Sequence, residues 1–360
     1  MSRIVKIGGF SHVDCVQIGG DLPIVIQTMW KDRLSFSNID EAAAQIASLK
    51  SLGCDLLRFA VPDIQNAEVL GHLAQMVSMP LAADIHFDYK IALRCLDFPI
   101  AKIRINPGNI GSKDKVEAVL GKAASGGIPI RIGVNAGSLP QDLRLKVEEG
   151  MAPSAALVEA AEREISLFKE FNFDNFLVSM KASTIADTII ANRLLSGRCD
   201  APLHAGVTEA GPLTAGVVRN TAALVTLLAE GIGDTIRVSL SDTMENEIIA
   251  AREIVMAASE LGCKRRKGGV RIVSCPRCGR HGFDTHGFTE RWMRRLYAMD
   301  KNITAAIMGC EVNGPVEAKH ADIGITGAGD KILIFKHGKV IRTITPDQAD
   351  KIFEEELMKL

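Results

Sequence analysis

The chain has 360 residues, 47% hydrophobic and 24% charged, with a formal net charge of −1, which is material for one large domain and a small one and excludes a disordered or collagenous chain. The N-terminal MSRIVKIGGF holds no apolar run fit for a signal peptide and no window approaches a membrane span, so a cytoplasmic protein with no membrane partner is expected. Charge is uneven, +6 over residues 264–360 against −7 over residues 1–263, which favours docking between unlike halves or onto an acidic protein.

From residue 24 to 240, short β-branched runs alternate with amphipathic stretches. Strands are predicted at 24–28, 55–61, 80–85, 100–105, 128–134, 174–180, 202–207 and 234–240, and helices at about 39–52, 64–77, 88–97, 114–125, 154–171, 183–197, 214–230 and 243–261. The first helix has Asn38 and Glu41 spaced as a capping box and Gly53 as its stop. The last repeats the device with Asp242, Glu245 and Gly262. Eight strand–helix units in order predict an α/β chain built on a (β/α)₈ TIM barrel over residues 1–262. A doubly wound sheet would carry a Gly-rich phosphate fingerprint after its first strand, and none is found there.

Residues 136–153 read as one long irregular connection, a lid or a surface loop. After a linker at 262–270, residues 263–360 read as a small α/β domain: a strand to 274, a Cys-containing turn, a helix at 289–299, strands at 303–308 and 321–326, a hairpin through His337-Gly338 and a helix at 347–358. The basic run Lys264-Arg265-Arg266-Lys267 reads as a solvated linker. With 5% aromatic residues and none interleaved with it, no nucleic-acid partner is expected.

In a barrel the chemistry gathers where strands end. Residues of this kind recur there two apart, on one face of each strand: Asp84 and His86, Arg104 and Asn106, Arg131 with Gly133 and Asn135, Ser179 and Lys181, Arg237 and Ser239, with Arg58 and His204 alone on theirs. Five inward cations, Arg58, Arg104, Arg131, Lys181 and Arg237, in an acidic domain point to a phosphate or diphosphate. Glu209, in a Gly-rich loop after the seventh strand, faces that mouth as a candidate acid or base.

The tail carries Cys275 and Cys278 at the Cys-x-x-Cys spacing and Cys310 in MGCEVNGPVEA. Three thiols suit either an iron–sulfur cluster or a zinc knuckle completed by Cys263, His281, His286, His320 or Glu317. Cys15, Cys54, Cys95 and Cys199 are scattered without the dense spacing of a disulfide scaffold.

The segments CPRCGR and MGCEVNGPVEA, and in order PIVIQTM, LLRFAVPD, ADIHF, KIRINPGNIG, IRIGVNAGSL, LVSMKAS, HAGVTEAG and DTIRVSLSD, closely resemble those of the bacterial 4-hydroxy-3-methylbut-2-enyl diphosphate synthase family, the iron–sulfur enzymes of the non-mevalonate isoprenoid pathway. The resemblance implies a [4Fe–4S] cluster on Cys275, Cys278, Cys310 and Glu317. It implies substrate binding by Arg58, Asp84, His86, Arg104, Asn106, Arg131, Asn135, Lys181, His204, Arg237 and Ser239, with Glu209 catalytic. The implied activity is reductive opening of 2-C-methyl-D-erythritol 2,4-cyclodiphosphate, with ferredoxin or flavodoxin as electron donor. Two departures stand out: Val316 replaces a family glycine, and Met29-Trp30-Lys31-Asp32 differs from the family's Thr-rich version and receives no role. The alternative class is a non-redox TIM-barrel lyase or aldolase with a Schiff-base lysine, Lys181, and a zinc-stabilised accessory domain. Because the helix ending near Leu261 runs away from the barrel mouth, a head-to-tail homodimer is expected, with the second domain of each chain serving the barrel of the other.

Overall fold

All eight expected barrel strands form. The structure, a computed structural model, describes residues 1–360 apart from the side chain of Pro107. A hairpin unforeseen in the sequence comes first, β1 (Val5–Gly8) against β2 (Cys15–Ile18). The barrel strands follow: β3 (Val25–Met29), β4 (Leu56–Ala60), β5 (Leu81–Asp84), β6 (Lys102–Ile105), β7 (Ile130–Asn135), β8 (Phe176–Lys181), β9 (His204–Ala205) and β10 (Thr235–Ile236). Each pairs in parallel with the next, β10 pairs with β3, and a parallel bridge between Val178 and Leu203 closes the ring between β8 and β9.

The hairpin explains what lies under the barrel. Ile7, Ile18, Val5 and Val13 pack with Val25, Leu56, Ala82 and Leu177, residues at or near the starts of the barrel strands. They close the lower end with an apolar plug. One layer higher the interior turns polar: Lys102 on β6 reaches Gln27 on β3, three strands round the ring, at 2.8 Å, so both side chains must point inward. Branched aliphatics usually fill this level of a barrel.

The outer helices are α1 (Ile39–Ser51), α2 (Ile64–Met76), α3 (Tyr89–Cys95), the single turn α4 (Pro107–Ile110), α5 (Lys113–Ser125), α6 (Gln141–Glu148), α7 (Pro153–Glu170), α8 (Ile185–Ser196), α9 (Leu213–Ala229) and α10 (Met244–Glu260). Gly53 and Gly262 do stop α1 and α10, each with φ of +102°, a conformation cheap only for glycine. The caps need correction. Asn38 makes no side-chain cap for α1 and instead accepts from the Ser35 N–H at 2.9 Å within a preceding 3₁₀ turn. In α10 the cap is Thr243, accepting from the Asn246 N–H at 3.2 Å, because Asp242 turns to the Thr243 N–H and the Asn246 amide.

The connection at 136–153 is not irregular: it folds into a 3₁₀ turn and α6, anchored by the wholly buried Leu143. Nor is the basic run all solvated. Arg265 is 9% exposed, pairs with Asp234 at 2.8 Å and donates to the Leu22 carbonyl at 2.9 Å, while its own carbonyl accepts from the Ile24 N–H. Those partners precede β3 and β10, so Arg265 fastens the chain to the barrel's lower end, and the first compact unit extends over Met1–Arg266.

The second unit, Lys267–Leu360, holds β11 (Arg271–Ser274), β12 (Thr304–Met308), β13 (Ile323–Ala328), β14 (Lys331–Lys336) and β15 (Lys339–Ile344) in that spatial order, parallel through β13 and antiparallel beyond. Helices α11 (Thr285–Tyr297) and α12 (Ala349–Leu357) cover the sheet, with Phe288, Trp292 and Phe353 packed into its core. Helix α11 begins four residues before the expected 289 because Asp284 caps it, accepting from the Gly287 N–H at 3.3 Å. Among the described residues no helix is long and apolar enough to cross a membrane.

Candidate active site

At the upper end of the barrel a cavity of about 200 Å³ is lined by Met29, Arg58, Asp84, His86, Arg104, Arg131, Asn135, Ser179, Lys181, Thr208, Arg237 and Ser239. The period-two placement of these residues at strand ends brings side chains from seven strands to one opening. Two glycines make the room. A Cβ on Gly133 would lie 2.2 Å from Arg104 Nε, and one on Gly206 would lie 3.0 Å from Lys181 Nζ. All five expected cations line this cavity.

Two carboxylates organise them. Asp84, 3% exposed, meets Arg104 at 3.0 Å and Arg58 at 3.3 Å, with His86 at 3.6 Å. Burial pushes its carboxyl up, but Arg58, the His86 contact and Arg104 outweigh that and hold it well below the usual carboxylate range. Glu247, 1% exposed on α10, is the second. It pairs with Arg237 at 3.2 Å and Lys31 at 3.0 Å and accepts from the Thr28 hydroxyl at 2.5 Å and the Leu240 N–H at 3.0 Å. Burial works against its charge, and Arg237 with the Thr28 hydroxyl holds it below the usual range.

Arg131 and Lys181 are left without a carboxylate among the described ion pairs, and Arg131 Nε and Nη1 are buried without any hydrogen-bond partner. Desolvation, reinforced by neighbouring guanidiniums, drives both groups well below their ordinary values, and burial lowers Arg58 to about 10. A buried excess of cation is costly unless an anion arrives to meet it. The arrangement suits an anionic ligand.

Three expected site residues lie outside the lining. His204 sits deeper on β9, wholly buried, its Nδ1 3.4 Å from the Thr235 hydroxyl and its Nε2 unpartnered. Burial, then Lys181 and Arg131, keeps its imidazole neutral. Asn106, 7% exposed, stands at the start of α4. Glu209 follows the lining residue Thr208 in a loop pinned by Thr208 N–H to the Ala182 carbonyl, Arg219 to the Ala210 carbonyl and Ser241 N–H to the Gly211 carbonyl. It holds φ of +53°, a strained value for glutamate of the kind that clusters at functional sites.

The sequence reading missed Glu247, whose acidic turn at the start of a helix looks like ordinary dipole compensation. It also gave no role to the stretch after β3. Yet Met29 lines the cavity, and Lys31 bonds the Leu240 carbonyl at 2.8 Å, the Asp242 carbonyl and Glu247, joining the β3 and β10 loops. A cation with three acidic or carbonyl partners on the neighbouring strand–helix unit is the signal, visible only in three dimensions.

In the second unit, Cys275 follows β11 and Cys310 follows β12, neighbouring parallel strands in which Ser274 lies opposite Ile307. Arg277 adopts φ of +71°, turning the chain between Cys275 and Cys278, and the Cys278 carbonyl accepts from the His281 N–H. After Cys310 the chain makes a wide π-helical turn, Val312–Glu317, of the sort found at functional sites. Asn313 spans it, 3.5 Å from the Cys310 thiol and 2.8 Å from Glu317 Oε2. Val316 is 67% exposed and has no positive φ, so the replaced glycine brings no strain here. All three thiols are free. Among the described residues no three His, Cys, Asp or Glu side chains are gathered to hold a metal ion. By contrast Cys54 and Cys95 are buried in the barrel, where desolvation lifts their thiols to about 12.

A parallel barrel with a cation-lined mouth, joined to a thiol-bearing α/β unit, defines a protein of the TIM-barrel class whose mouth suits an anionic ligand. Comparison with known proteins narrows this: the GcpE TIM-barrel domain matches residues 10–252 and the GcpE protein C-terminal domain residues 271–359. The chain belongs to the GcpE family. Along its whole length it is 48% identical to a Treponema denticola protein and 49% identical to one from Treponema pallidum, of which it covers 99% and 92%. A Caldicellulosiruptor saccharolyticus protein is 43% identical over 99% of this chain and 98% of its own. All three are named 4-hydroxy-3-methylbut-2-en-1-yl diphosphate synthase (flavodoxin).

Proposed function

We propose that Arg58, Arg104, Arg131, Lys181 and Arg237 hold the diphosphate of 2-C-methyl-D-erythritol 2,4-cyclodiphosphate in the barrel mouth, while Cys275, Cys278, Cys310 and Glu317 hold a [4Fe–4S] cluster. The enzyme is an iron–sulfur oxidoreductase that opens this ring reductively to (E)-4-hydroxy-3-methylbut-2-enyl diphosphate for isoprenoid biosynthesis. The observation that carries the binding assignment is the convergence of five cations from five strands on one cavity with two carboxylates between them. The zinc-stapled lyase or aldolase is not supported, since the relatives spanning the whole chain are named for a diphosphate synthase that uses flavodoxin.

The chemistry balances as substrate, two electrons and one proton giving product and water. The ring C–O bond at carbon 2 breaks, the carbon 3 hydroxyl leaves as water, and a carbon–carbon double bond forms between them. The diphosphate passes from dianion to trianion. Arg and Lys side chains that are poorly neutralised before binding therefore stabilise the opened form more than the closed ring, which is what catalysis requires of them. Asn106, Asn135, Ser179 and Ser239 orient the hydroxyl groups, with Asp84 and His86 fixing Arg104 and His204 keeping a neutral imidazole beneath the carbon chain. Glu209, on its strained loop, gives the proton that leaves in water. A [4Fe–4S] cluster held by Cys275, Cys278, Cys310 and Glu317 would supply single electrons and Lewis acidity to this site.

Flavodoxin is the electron donor read from the relatives, with ferredoxin the other carrier of suitable charge for a second unit, Lys267–Leu360, of net +3. A head-to-tail homodimer completes the reading, with Met1–Arg266 as the substrate domain and Lys267–Leu360 as the cluster domain of the partner's site. Protein purified without oxygen is expected to be brown, to bind the cyclodiphosphate and to turn it over with reduced flavodoxin. Cys310→Ala should lose the cluster absorbance and all turnover, and Glu317→Ala should lose turnover with less effect on iron. Full iron content in Cys310→Ala would withdraw the cluster assignment.

A further inference from the structure

Beneath the mouth lies a layer that the assigned chemistry does not use. Lys102 is 0% exposed, and its amine has one close partner, the neutral Gln27 Oε1 at 2.8 Å. Around it stand Arg58 on β4, Asp84 on β5, Arg131 on β7 and His204 on β9, and the only carboxylate among them, Asp84, is already held by Arg58 and Arg104. Gln27 Nε2, Arg131 Nε and Nη1, and His204 Nε2 are buried with no hydrogen-bond partner. An ammonium here would be an unpaired buried charge among like charges, which is costly. An uncharged amine has a lone pair instead and can accept from one of those stranded donors, by a flip of the Gln27 amide for example.

We propose that Lys102 is a proton acceptor coupled to substrate: uncharged in the empty barrel, it takes a proton from the medium when an anionic diphosphate settles on the cations above it. The inference rests on the assignment of the mouth to a cyclic diphosphate. Each added negative charge in the mouth offsets the repulsion from Arg131 and Arg58 that keeps the amine neutral, so the ammonium becomes tolerable only in the complex. Desolvation first, then Arg131 and Arg58, already holds the amine well below its ordinary range in the free protein. A charged Lys102 then adds a sixth cation under the diphosphate at the stage where ring opening raises its charge. The linkage has a definite sign: binding that takes up protons weakens as pH rises between the amine's value in the free enzyme and its higher value in the complex.

Calorimetric titration of the oxidised, cluster-loaded enzyme with 2-C-methyl-D-erythritol 2,4-cyclodiphosphate, in two buffers of different ionisation enthalpy, counts the protons taken up on binding without turnover. Wild type should take up about one proton more per site than Lys102→Met. Gln27→Glu is the companion variant: it keeps the lysine but gives it a carboxylate, which fixes the ammonium before substrate arrives and should abolish the same uptake. Because Gln27→Glu changes no volume, it remains informative if Lys102→Met fails to fold. Equal proton counts in wild type and either folded variant overturn the proposal. If wild type does not bind the cyclodiphosphate at all, it is the substrate assignment that falls.

Discussion

Glu247 holds together four groups from three places: Thr28 at the end of β3, Lys31 in the loop beyond it, Arg237 after β10 and the Leu240 N–H. Its removal should be felt through Arg237. Glu247→Gln keeps the shape and can still bond Thr28, but it loses the charge that aims the guanidinium. A lost charge-assisted bond costs about 1.5–3 kcal/mol, which predicts a KM for the cyclodiphosphate raised roughly tenfold or more. The kcat should fall far less, and the cluster spectrum should not change. At this scale the sequence was most informative where chemistry coincides with strand period. Arg104 and Arg237 announce themselves as inward cations two residues from another polar group and Arg131 as one four residues from Asn135, while Arg58 stands alone at its strand end. Glu247 and Lys31 do not, because one sits in the first turn of a helix, where acids are common anyway, and the other in a loop. Lys102 shares the inward face with Arg104 but hides among flanking isoleucines as part of a strand core.

Elements show the same division. Eight strands and eight helices follow from alternating periods, and their glycine stops survive in the structure because a left-handed residue is needed there whatever the tertiary context. The hairpin of β1 and β2 was not legible. Each strand has four residues and the link between them carries Gly8, Gly9 and Ser11 with positive φ, so no period develops. Its role is tertiary: Ile7 and Ile18 are 0% exposed against the lower rim of the barrel. Ile7→Ala should destabilise the barrel by about 2–5 kcal/mol, measured as a lowered urea midpoint of barrel unfolding with m unchanged. An unchanged midpoint would show that the plug contributes nothing to barrel stability.

At the scale of the molecule, the boundary shifted by four residues because of one side chain. Arg265 belongs to a run that reads as linker, yet its ion pair with Asp234 fastens the chain beneath the barrel. Residues 267–270 are then the whole connection to β11. Four residues reach about 14 Å when extended, whereas the 17 residues of α10 descend roughly 25 Å from the mouth. This favours the proposed exchange of second domains between two chains. Co-expressed Glu209→Gln and Cys310→Ala chains test it, each inactive alone. Random pairing should restore about a quarter of wild-type activity, since half the dimers would hold one undamaged site of two. Heterodimers that stay inactive would confine each site to one chain.

The plug under the barrel also settles the direction of traffic. With Ile7 and Ile18 sealing the lower end, the interior is a blind vessel with one doorway. Substrate, water and product all pass the same ring of cations, and the product, carrying one more negative charge than the molecule that entered, has the stronger claim on that ring. Departure is therefore the step the architecture favours least. How readily the product leaves that ring governs how soon the next molecule is admitted.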